Sequence, residues 1–218
     1  MIGDKLNIKD FHREAARGIA ELIVPDLEGA GGRFAVTVAG ESGAGKSEIA
    51  FVLSEKLTEK GLKSIVLQQD DYFVYPPKTN AAMRKKDIGH VGLSEVQLSV
   101  LDRNLREILD GAAEIDKPLV IYEEDRITSE TIVIEGVKVV IVEGTYVTLL
   151  ENADRRVFID RTHVDTAQAR EERAREAQDE YLSRILLIEH AIIAPQKARA
   201  DIIVTRDYKV EASGKYGK

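Results

Sequence analysis

Residues 33–50 read RFAVTVAGESGAGKSEIA, in which an apolar run of strand length leads into a glycine-rich loop and then into a helical pattern. Residues 40–47, GESGAGKS, fit the spacing G-x-x-x-x-G-K-[ST], which binds the phosphates of nucleotides. The alternative, a structural glycine turn, does not explain why a strand and a helix flank the loop. The sequence therefore predicts a nucleotide-binding site at residues 40–47.

Each fixed position of this loop has a physical role. Glycines at positions 40 and 45 let the backbone curl so that successive N–H groups point at the phosphates, and the following helix adds its positive dipole end. Lys46 can reach the β- and γ-phosphates, and the Ser47 hydroxyl can hold Mg²⁺. The residues predicted to bind the nucleotide are Gly40, Ser42, Gly43, Ala44, Gly45, Lys46 and Ser47.

The pattern around the loop predicts the fold. A helix is expected over residues 47–60, stopped by Gly61, and a second strand over residues 64–67, which together give a β–α–β unit and hence a parallel sheet. Further strands are expected in the apolar runs at 137–142, 157–159 and 202–204. We therefore expect an α/β P-loop NTPase fold: a doubly wound parallel sheet with an arginine-bearing helical lid.

One domain accounts for the chain of 218 residues. Apolar residues recur at helical spacing between positions 8 and 24, so residues 1–32 are expected to form an N-terminal amphipathic helix packed on the domain. Residues 33–208 are expected to form the nucleotide-binding domain, with its lid at about 161–190. Residues 209–218 are polar and are expected to form a flexible tail.

Carboxylates follow two of the predicted strands. Glu143 ends one apolar run, and Asp70 and Asp71 come directly after the second strand. Ligands bind at the carboxyl ends of strands in open α/β sheets, so these groups should face the same crevice as the loop. Glu143 would then face the magnesium ion, and a carboxylate after the second strand could accept the proton of an attacking hydroxyl group. The alternative is that Asp70 and Asp71 form only a solvated turn and that Glu143 only marks the exposed end of a strand.

Arginines cluster between residues 165 and 190, in a long charged region that we expect to be helical. Arg170 and Arg173 are three residues apart and share a helix face. On a lid they could neutralise charge on a transferring phosphoryl group and exclude water. A solvent-facing helix laced by i,i+4 ion pairs is an equally good interpretation of this region.

Composition limits the class of protein. A net charge of −7 argues against a protein whose main partner is a nucleic acid. The chain has no cysteine, which excludes disulfides and cysteine-based zinc sites. It shows no signal-peptide pattern and no apolar run near the roughly 20 residues of a membrane helix, so we expect a cytoplasmic protein without membrane contact. The sequence leaves open whether the chain forms a homo-oligomer.

Taken together, these motifs resemble the uridine kinase and phosphoribulokinase family of P-loop kinases, over residues 33–204. GESGAGKS resembles its phosphate loop, LQQDDYF its catalytic aspartate segment, and VVIVEGTY its strand with a magnesium-facing glutamate. The region FIDRTHVDTAQAREERAREAQ resembles its arginine-rich lid. The resemblance implies ATP and Mg²⁺ as cofactors. It implies catalytic roles for Lys46, Asp70, Arg170 and Arg173, and metal ligation by Ser47, Asp70 and Glu143.

The acceptor motifs depart from the family pattern. Residues 118–126, PLVIYEEDR, keep Tyr122 and Arg126 of the pyrimidine-reading segment but lack its histidine. The family's His-Pro-Asp stretch is replaced by residues 89–92, GHVG. We expect acceptor recognition in the irregular segment 72–92, before a helix at 93–109. The predicted substrate contacts are Asp71, Tyr72, Tyr122, Arg126 and His90, and the basic run Arg84, Lys85 and Lys86 would suit an anionic acceptor.

Three functional classes fit a phosphate-binding loop. A GTP-dependent switch would need an Asn-Lys-x-Asp run to read guanine, and the chain has none. A regulatory ATPase would hydrolyse ATP without an acceptor and is the remaining alternative. The interpretation that uses the most motifs is an ATP-dependent kinase that moves the γ-phosphate to a hydroxyl group of a nucleoside-like or other small acceptor.

Overall fold

The computed structural model describes residues 1, 6–173 and 179–216. The helices are α1 (Asp10–Gly29), α2 (Lys46–Glu59), α3 (Pro77–Lys86), α4 (Leu98–Leu109), α5 (Ala167–Arg173) and α6 (Glu180–Ile193). The strands are β1 (Phe34–Gly40), β2 (Ser64–Gln68), β3 (Glu114–Ile121), β4 (Arg126–Val133), β5 (Val139–Gly144), β6 (Arg155–Ile159), β7 (Ile202–Val204) and β8 (Val210–Ala212).

The central sheet has the strand order β2-β5-β1-β6-β7-β8. Its first five strands are parallel, and β8 pairs antiparallel with β7. β1 lies between β5 and β6, so the loop after β1 opens between the carboxyl ends of both neighbours. The predicted doubly wound parallel α/β sheet is therefore confirmed. β3 and β4 form a separate antiparallel hairpin.

Two apolar layers cover the sheet because residues in a strand alternate between its faces. On one face, Val36 and Val38 of β1 pack with residues of α1 and α2, including Ile19 and Leu53. On the other face, strand residues such as Val140 pack with α4. Since both faces are covered, β1 and β5 are buried along their whole length.

Several local expectations are corrected by the structure. The segment expected to be irregular contains α3, and the helix expected from residue 93 begins at Leu98, after a 3₁₀ turn at Leu93–Glu95. The tail expected to be flexible contains β8 and packs Tyr216, whose hydroxyl bonds to Asp26 at 2.9 Å. Tertiary contacts therefore order segments whose local sequence is polar.

No helix among residues 1, 6–173 and 179–216 is long and apolar enough to cross a membrane.

Candidate active site

The phosphate-binding loop joins β1 to α2. Gly43 (φ 78°) and Gly45 (φ 91°) adopt left-handed backbone angles that favour glycine. A Cβ atom on Gly43 would lie 3.1 Å from Cγ of Arg170 and 3.2 Å from Cβ of Thr166. The turn of the chain and the close approach of the lid both require glycine here.

The amino end of α2 suits an anion. Its N-cap residue, Gly45, brings no side-chain acceptor to the first N–H groups of the helix. Such groups carry partial positive charge and bind phosphate when no cap satisfies them. Lys46 follows directly, and its Nζ donates to the carbonyl of Glu41 at 3.2 Å. The loop therefore provides the amide cradle and the cation that a polyphosphate needs.

Beside the loop lies a cavity of about 350 Å³, which we call the reaction cavity. It collects side chains from the loop, from the ends of β2 and β5, from the hairpin tip and from the lid. The predicted site residues that line it are Ser42, Gly43, Lys46, Ser47, Asp70, Tyr122, Glu143 and Arg170. Residues separated by up to 128 positions in sequence thus face one space, as the strand-end argument requires.

Oxygen ligands converge at the carboxyl ends of β2 and β5. In the sheet register Gln68 lies beside Glu143. The Ser47 hydroxyl donates to Oε1 of Glu143 at 3.0 Å, and Nε2 of Gln68 donates to the same oxygen at 3.4 Å. Asp70 adds a second carboxylate to the cavity. A hydroxyl and two carboxylates are the hard oxygen donors that Mg²⁺ prefers, so these residues fit the predicted ion.

The lid carries Arg170 into the reaction cavity. Its Nη2 donates to the carbonyl of His163 at 2.7 Å and its Nη1 donates to Oγ1 of Thr166. Its Nε is buried and has no hydrogen-bond partner among the described residues. Burial lowers the pKa of this guanidinium from its ordinary value, although Glu41 and Glu189 oppose the change. A half-buried cation whose Nε–H is buried and unsatisfied favours an anion beside it. The side chain of Arg173, the other predicted lid arginine, lies outside the described residues.

Glu41 ties the lid to the loop, a role that the sequence motif did not reveal. Its buried carboxylate accepts from the backbone N–H of His163 and lies 2.6 Å from Nδ1 of His190 on α6. Thr166 adds a bond from its hydroxyl to the carbonyl of Ser42 at 2.8 Å. The loop motif accepts any residue at position 41, so the sequence offers no signal for this contact.

The sequence of residues 35–213 matches the sequence model of the phosphoribulokinase / uridine kinase family. The chain belongs to this family. Its relatives include uridine kinases from Leuconostoc citreum (31% identical over 183 residues, 78% of this chain and 85% of that protein) and Ligilactobacillus salivarius (32% identical over 183 residues, 78% and 83%). The family predicted from the motifs is thereby confirmed.

Solved structures share the fold at lower identity. A putative fructose transport system kinase from Silicibacter sp. TM1040 superposes with a TM-score of 0.64 at 19% identity, covering 84% of this chain and 94% of that one. A possible uridine kinase from Bacillus stearothermophilus gives a TM-score of 0.61 at 19% identity, covering 89% and 97%. The P-loop kinase fold is confirmed.

Family membership establishes the coarse chemistry. The chain is a small-metabolite kinase, a phosphotransferase with a hydroxyl group as acceptor. The family implies use of ATP and, typically, Mg²⁺. The matched residues begin at 35, so α1 lies outside the part of the chain that the family explains.

Within this kinase, two predicted substrate residues prove to be structural. Tyr72 is fully buried, and its hydroxyl donates to Oδ1 of Asn104 at 3.1 Å. Burial raises the pKa of this phenol, and the charge of Asp71 adds to the effect. The Asp71 carboxylate accepts from Nζ of Lys117 at 2.7 Å and from the N–H of Val120 at 3.0 Å. The β3–β4 hairpin covers Asp71 and α4 covers Tyr72, so neither residue lines the reaction cavity as an acceptor contact would.

Of the other predicted acceptor contacts, one lines the reaction cavity and two do not. Tyr122 lines the reaction cavity, and its contact with the acceptor stays a prediction. Arg126 is exposed and pairs with Glu124 at 2.8 Å, so it does not reach the cavity. His90 does not line the cavity, but its Nε2 lies 3.0 Å from Oδ1 of Asn80, which does. The tight turn at the hairpin tip, with Asp125 at a φ of 48°, lies between Tyr122 and Arg126.

Thr145 and Tyr146 also line the reaction cavity and were not predicted from the sequence; the buried Gln69 bonds to both. Nε2 of the buried Gln69 donates to the Thr145 hydroxyl at 2.9 Å, and its Oε1 accepts from the N–H of Tyr146 at 2.7 Å. These bonds join the segment of Asp70 to the segment after β5. Gln69 directly precedes Asp70, and this position in the sequence could have marked it as a residue of the site. The hydrogen bond between Thr145 and Gln69 depends on the order of strands in the sheet, which the motifs do not give.

The Asp71–Lys117 pair gives a testable correction. Replacing Asp71 with Asn should lower the free energy of unfolding by about 1–3 kcal/mol, because the buried Lys117 ammonium loses one of its two carboxylate partners and keeps Glu130 at 2.8 Å. Urea denaturation measures this loss. The matched control is Glu114→Gln, an exposed position on the same hairpin, with an expected change below about 0.5 kcal/mol. Unchanged stability together with a raised KM for the acceptor would restore Asp71 as a substrate contact.

Proposed function

We propose that this chain transfers the γ-phosphate of ATP to a hydroxyl group of a small, uncharged, hydroxyl-rich acceptor. The observation that carries the proposal is the reaction cavity, in which Asp70 faces the phosphate-binding loop across a space of about 350 Å³. That volume suits a small metabolite. A regulatory ATPase has no need of a carboxylate and an acceptor-sized space beside its loop.

The proposed reaction is an in-line phosphoryl transfer. Asp70 takes the proton from the acceptor hydroxyl, the hydroxyl oxygen forms a bond to the γ-phosphorus, and the bond from that phosphorus to the β–γ bridging oxygen breaks. Lys46 and the loop amides hold the phosphates, and Arg170 stabilises charge on the group in transit. Ser47, Glu143 and Asp70 would hold Mg²⁺. The ion, when bound, supplies charge neutralisation on the phosphate oxygens.

The far wall of the cavity favours an acceptor without a phosphate group. Phe73, Tyr75 and Tyr122 provide aromatic surface there. Arg84 is one cation of this wall, and it pairs with the buried Glu95 at 3.0 Å and with Glu189 at 3.0 Å. The other is Lys78, whose Nζ donates to the carbonyl of Glu123 at 3.2 Å. Two carboxylates already neutralise Arg84, so the basic run 84–86 is a poor match for an anionic acceptor.

Some relatives are named for acceptors of the same class. Uridine, named for the two kinases above, is a neutral compound rich in hydroxyl groups. A bifunctional alpha-galactosidase/sucrose kinase of Mediterraneibacter gnavus is 26% identical over 192 residues, and its match covers 82% of this chain and 20% of that protein. Sucrose, the acceptor in its name, is again neutral. The names differ in the acceptor, which agrees with the departures of this chain from the pyrimidine-reading motif.

An acceptor panel tests the proposal. Purified protein with ATP and Mg²⁺ should release ADP when a nucleoside or neutral sugar is added, and release should remain near background without an acceptor. Sugar phosphates should give turnover at least about tenfold lower, since an unpaired phosphate beside Glu95 and Glu189 is unfavourable. ADP release that is independent of every acceptor would point to a regulatory ATPase. Preferential use of sugar phosphates would refute the uncharged acceptor.

A further inference from the structure

Two histidines and a glutamate converge at the edge of the phosphate-binding loop. Glu41 follows the first glycine of the loop, His163 lies between β6 and α5, and His190 lies on α6. Each offers one ligand atom, a carboxylate oxygen or a ring nitrogen, and these three atoms lie within 4.8 Å of one another. None of the three residues lines the reaction cavity. The cluster is therefore separate from the oxygen ligands proposed for Mg²⁺.

The two oxygens of the Glu41 carboxylate face one ring each. Nδ1 of His190 lies 2.6 Å from Oε1, and Nδ1 of His163 lies 3.4 Å from Oε2. The backbone N–H of His163 also donates to this carboxylate, and the two ring centroids lie 5.3 Å apart. Both imidazoles therefore present the same nitrogen to one buried carboxylate.

Hydrogen bonding accounts for only one of these two ring nitrogens. Nδ1 of His190 is at bonding distance from Glu41, but Nδ1 of His163 is buried and makes no hydrogen bond within the part of the chain that the structure describes. A buried polar atom without a partner costs free energy unless something else binds it. A metal ion between the ring and the carboxylate would give this nitrogen a partner.

The donor set selects the kind of ion. Two imidazoles and one carboxylate form the ligand set of known zinc sites, and imidazole suits zinc and its neighbours in the first transition row better than Mg²⁺. Ligand atoms of a tetrahedral zinc lie about 3.4 Å apart, so side-chain movements on the order of 1 Å would complete the site. The side chain of His190 is 36% exposed, which leaves an entry path and room for a water as fourth ligand.

The nearby cations have other partners. Glu189 and Glu171 act on the guanidinium of Arg170 in addition to Glu41. Nζ of Lys46 bonds to the backbone carbonyl of Glu41, and its side chain lines the reaction cavity. The Glu41 carboxylate therefore retains negative charge for a further cation.

We propose that Glu41, His163 and His190 bind a divalent cation that prefers imidazole ligands, with Zn²⁺ as the representative ion. The two histidines lie at opposite ends of the lid region, and Glu41 lies in the loop. A single ion would therefore hold both ends of the lid against the phosphate-binding loop. This second metal site does not depend on which acceptor the kinase uses.

Binding of Zn²⁺ to the full, untagged chain tests the inference. Calorimetry with excess Mg²⁺, which occupies the oxygen ligands, should show one bound Zn²⁺ per chain. His163→Gln and His190→Gln should each bind it at least about tenfold more weakly, since even an outer-shell partner of a metal is worth 10–100-fold. The matched control is His90→Gln, because His90 is half-buried like the other two but bonds to Asn80. This control should bind Zn²⁺ within about twofold of the unaltered chain.

Co²⁺ gives a spectroscopic check of the ligands. In a four-coordinate site with nitrogen donors it absorbs visible light much more strongly than in an octahedral oxygen site, because geometry and ligand type set its electronic states. The unaltered chain and His90→Gln should show the strong absorption. His163→Gln and His190→Gln should lose it.

Three results would overturn the inference: no Zn²⁺ binding by the unaltered chain, equal binding by all four proteins, or the weak spectrum of an octahedral oxygen site. Should His163→Gln or His190→Gln melt below the assay temperature, Glu41→Gln removes the third ligand at unchanged size and is judged by the same criteria. The acceptor panel contains no Zn²⁺, so the proposed function is tested independently of this site.

Discussion

Replacing Asp70 with Asn is expected to lower kcat by about 10²–10⁴-fold. Asn has the same shape but cannot take up the proton of the acceptor hydroxyl, and a positioned general base is worth about this factor. Asp70 lies in the reaction cavity beside Lys46 and Glu143. The KM for ATP should change little, since the loop and Lys46 hold the phosphates. Steady-state kinetics at saturating acceptor measure both parameters.

The same variant separates two roles for Asp70. If its main role is to hold Mg²⁺, the magnesium concentration for half-maximal activity should rise and excess magnesium should restore most of the rate. If it acts as the base, added magnesium should not restore kcat. Asp110→Asn is the matched control, because Asp110 is exposed at the end of α4 and outside the cavity. A kcat within twofold of the unaltered chain for Asp70→Asn would contradict the mechanism.

The geometry of the phosphate-binding loop could be predicted because its determinants are local. Spacing within residues 40–47 fixes the turn, and a buried strand before a carboxylate places Glu143 at the sheet edge. The strand order then brings the ends of β2 and β5 together. Every step depends on residues close in sequence or on a general rule for parallel sheets.

The acceptor wall could not be predicted in the same way, because its determinants are distant in sequence. Asp70 and Asp71 are adjacent and chemically equal, yet Lys117, 46 positions away, takes Asp71 into a buried ion pair. Tyr72 belongs to the core since α4 supplies Asn104 to its hydroxyl. The sequence shows hydrogen-bonding groups but not which of them a later hairpin will cover.

The lid shows a third kind of limit. Arginines at helical spacing fit a lid and a solvated helix equally well, and only contacts with another segment separate the two. The bond from Thr166 to the carbonyl of Ser42 and the approach of Arg170 to Gly43 place α5 against the loop. Glu41, at a position that the loop motif leaves free, holds His163 and His190 from both ends of the lid region.

Replacing Lys46 with Ala is expected to lower kcat by at least about 10²–10³-fold, the loss seen when one charged or hydrogen-bonding group that stabilises a transition state is removed. Its Nζ lies at the carbonyl of Glu41, inside the loop that would surround the phosphates. ATP affinity should also fall, because Lys46 neutralises charge on phosphates before and during transfer. A coupled assay for ADP, run at several ATP concentrations, separates the two effects.

The fold should survive this change, which makes the result interpretable. Lys46 is half-buried, and a single hydrogen bond such as the one to Glu41 contributes only about 0.5–1.5 kcal/mol. The melting temperature should therefore move by a few degrees at most. Lys60→Ala provides the control, since Lys60 caps the other end of α2, roughly 20 Å along the helix axis, and is exposed. Undiminished turnover by Lys46→Ala would mean that the phosphates are not held by this loop, and the proposed transfer would then have no site in the chain.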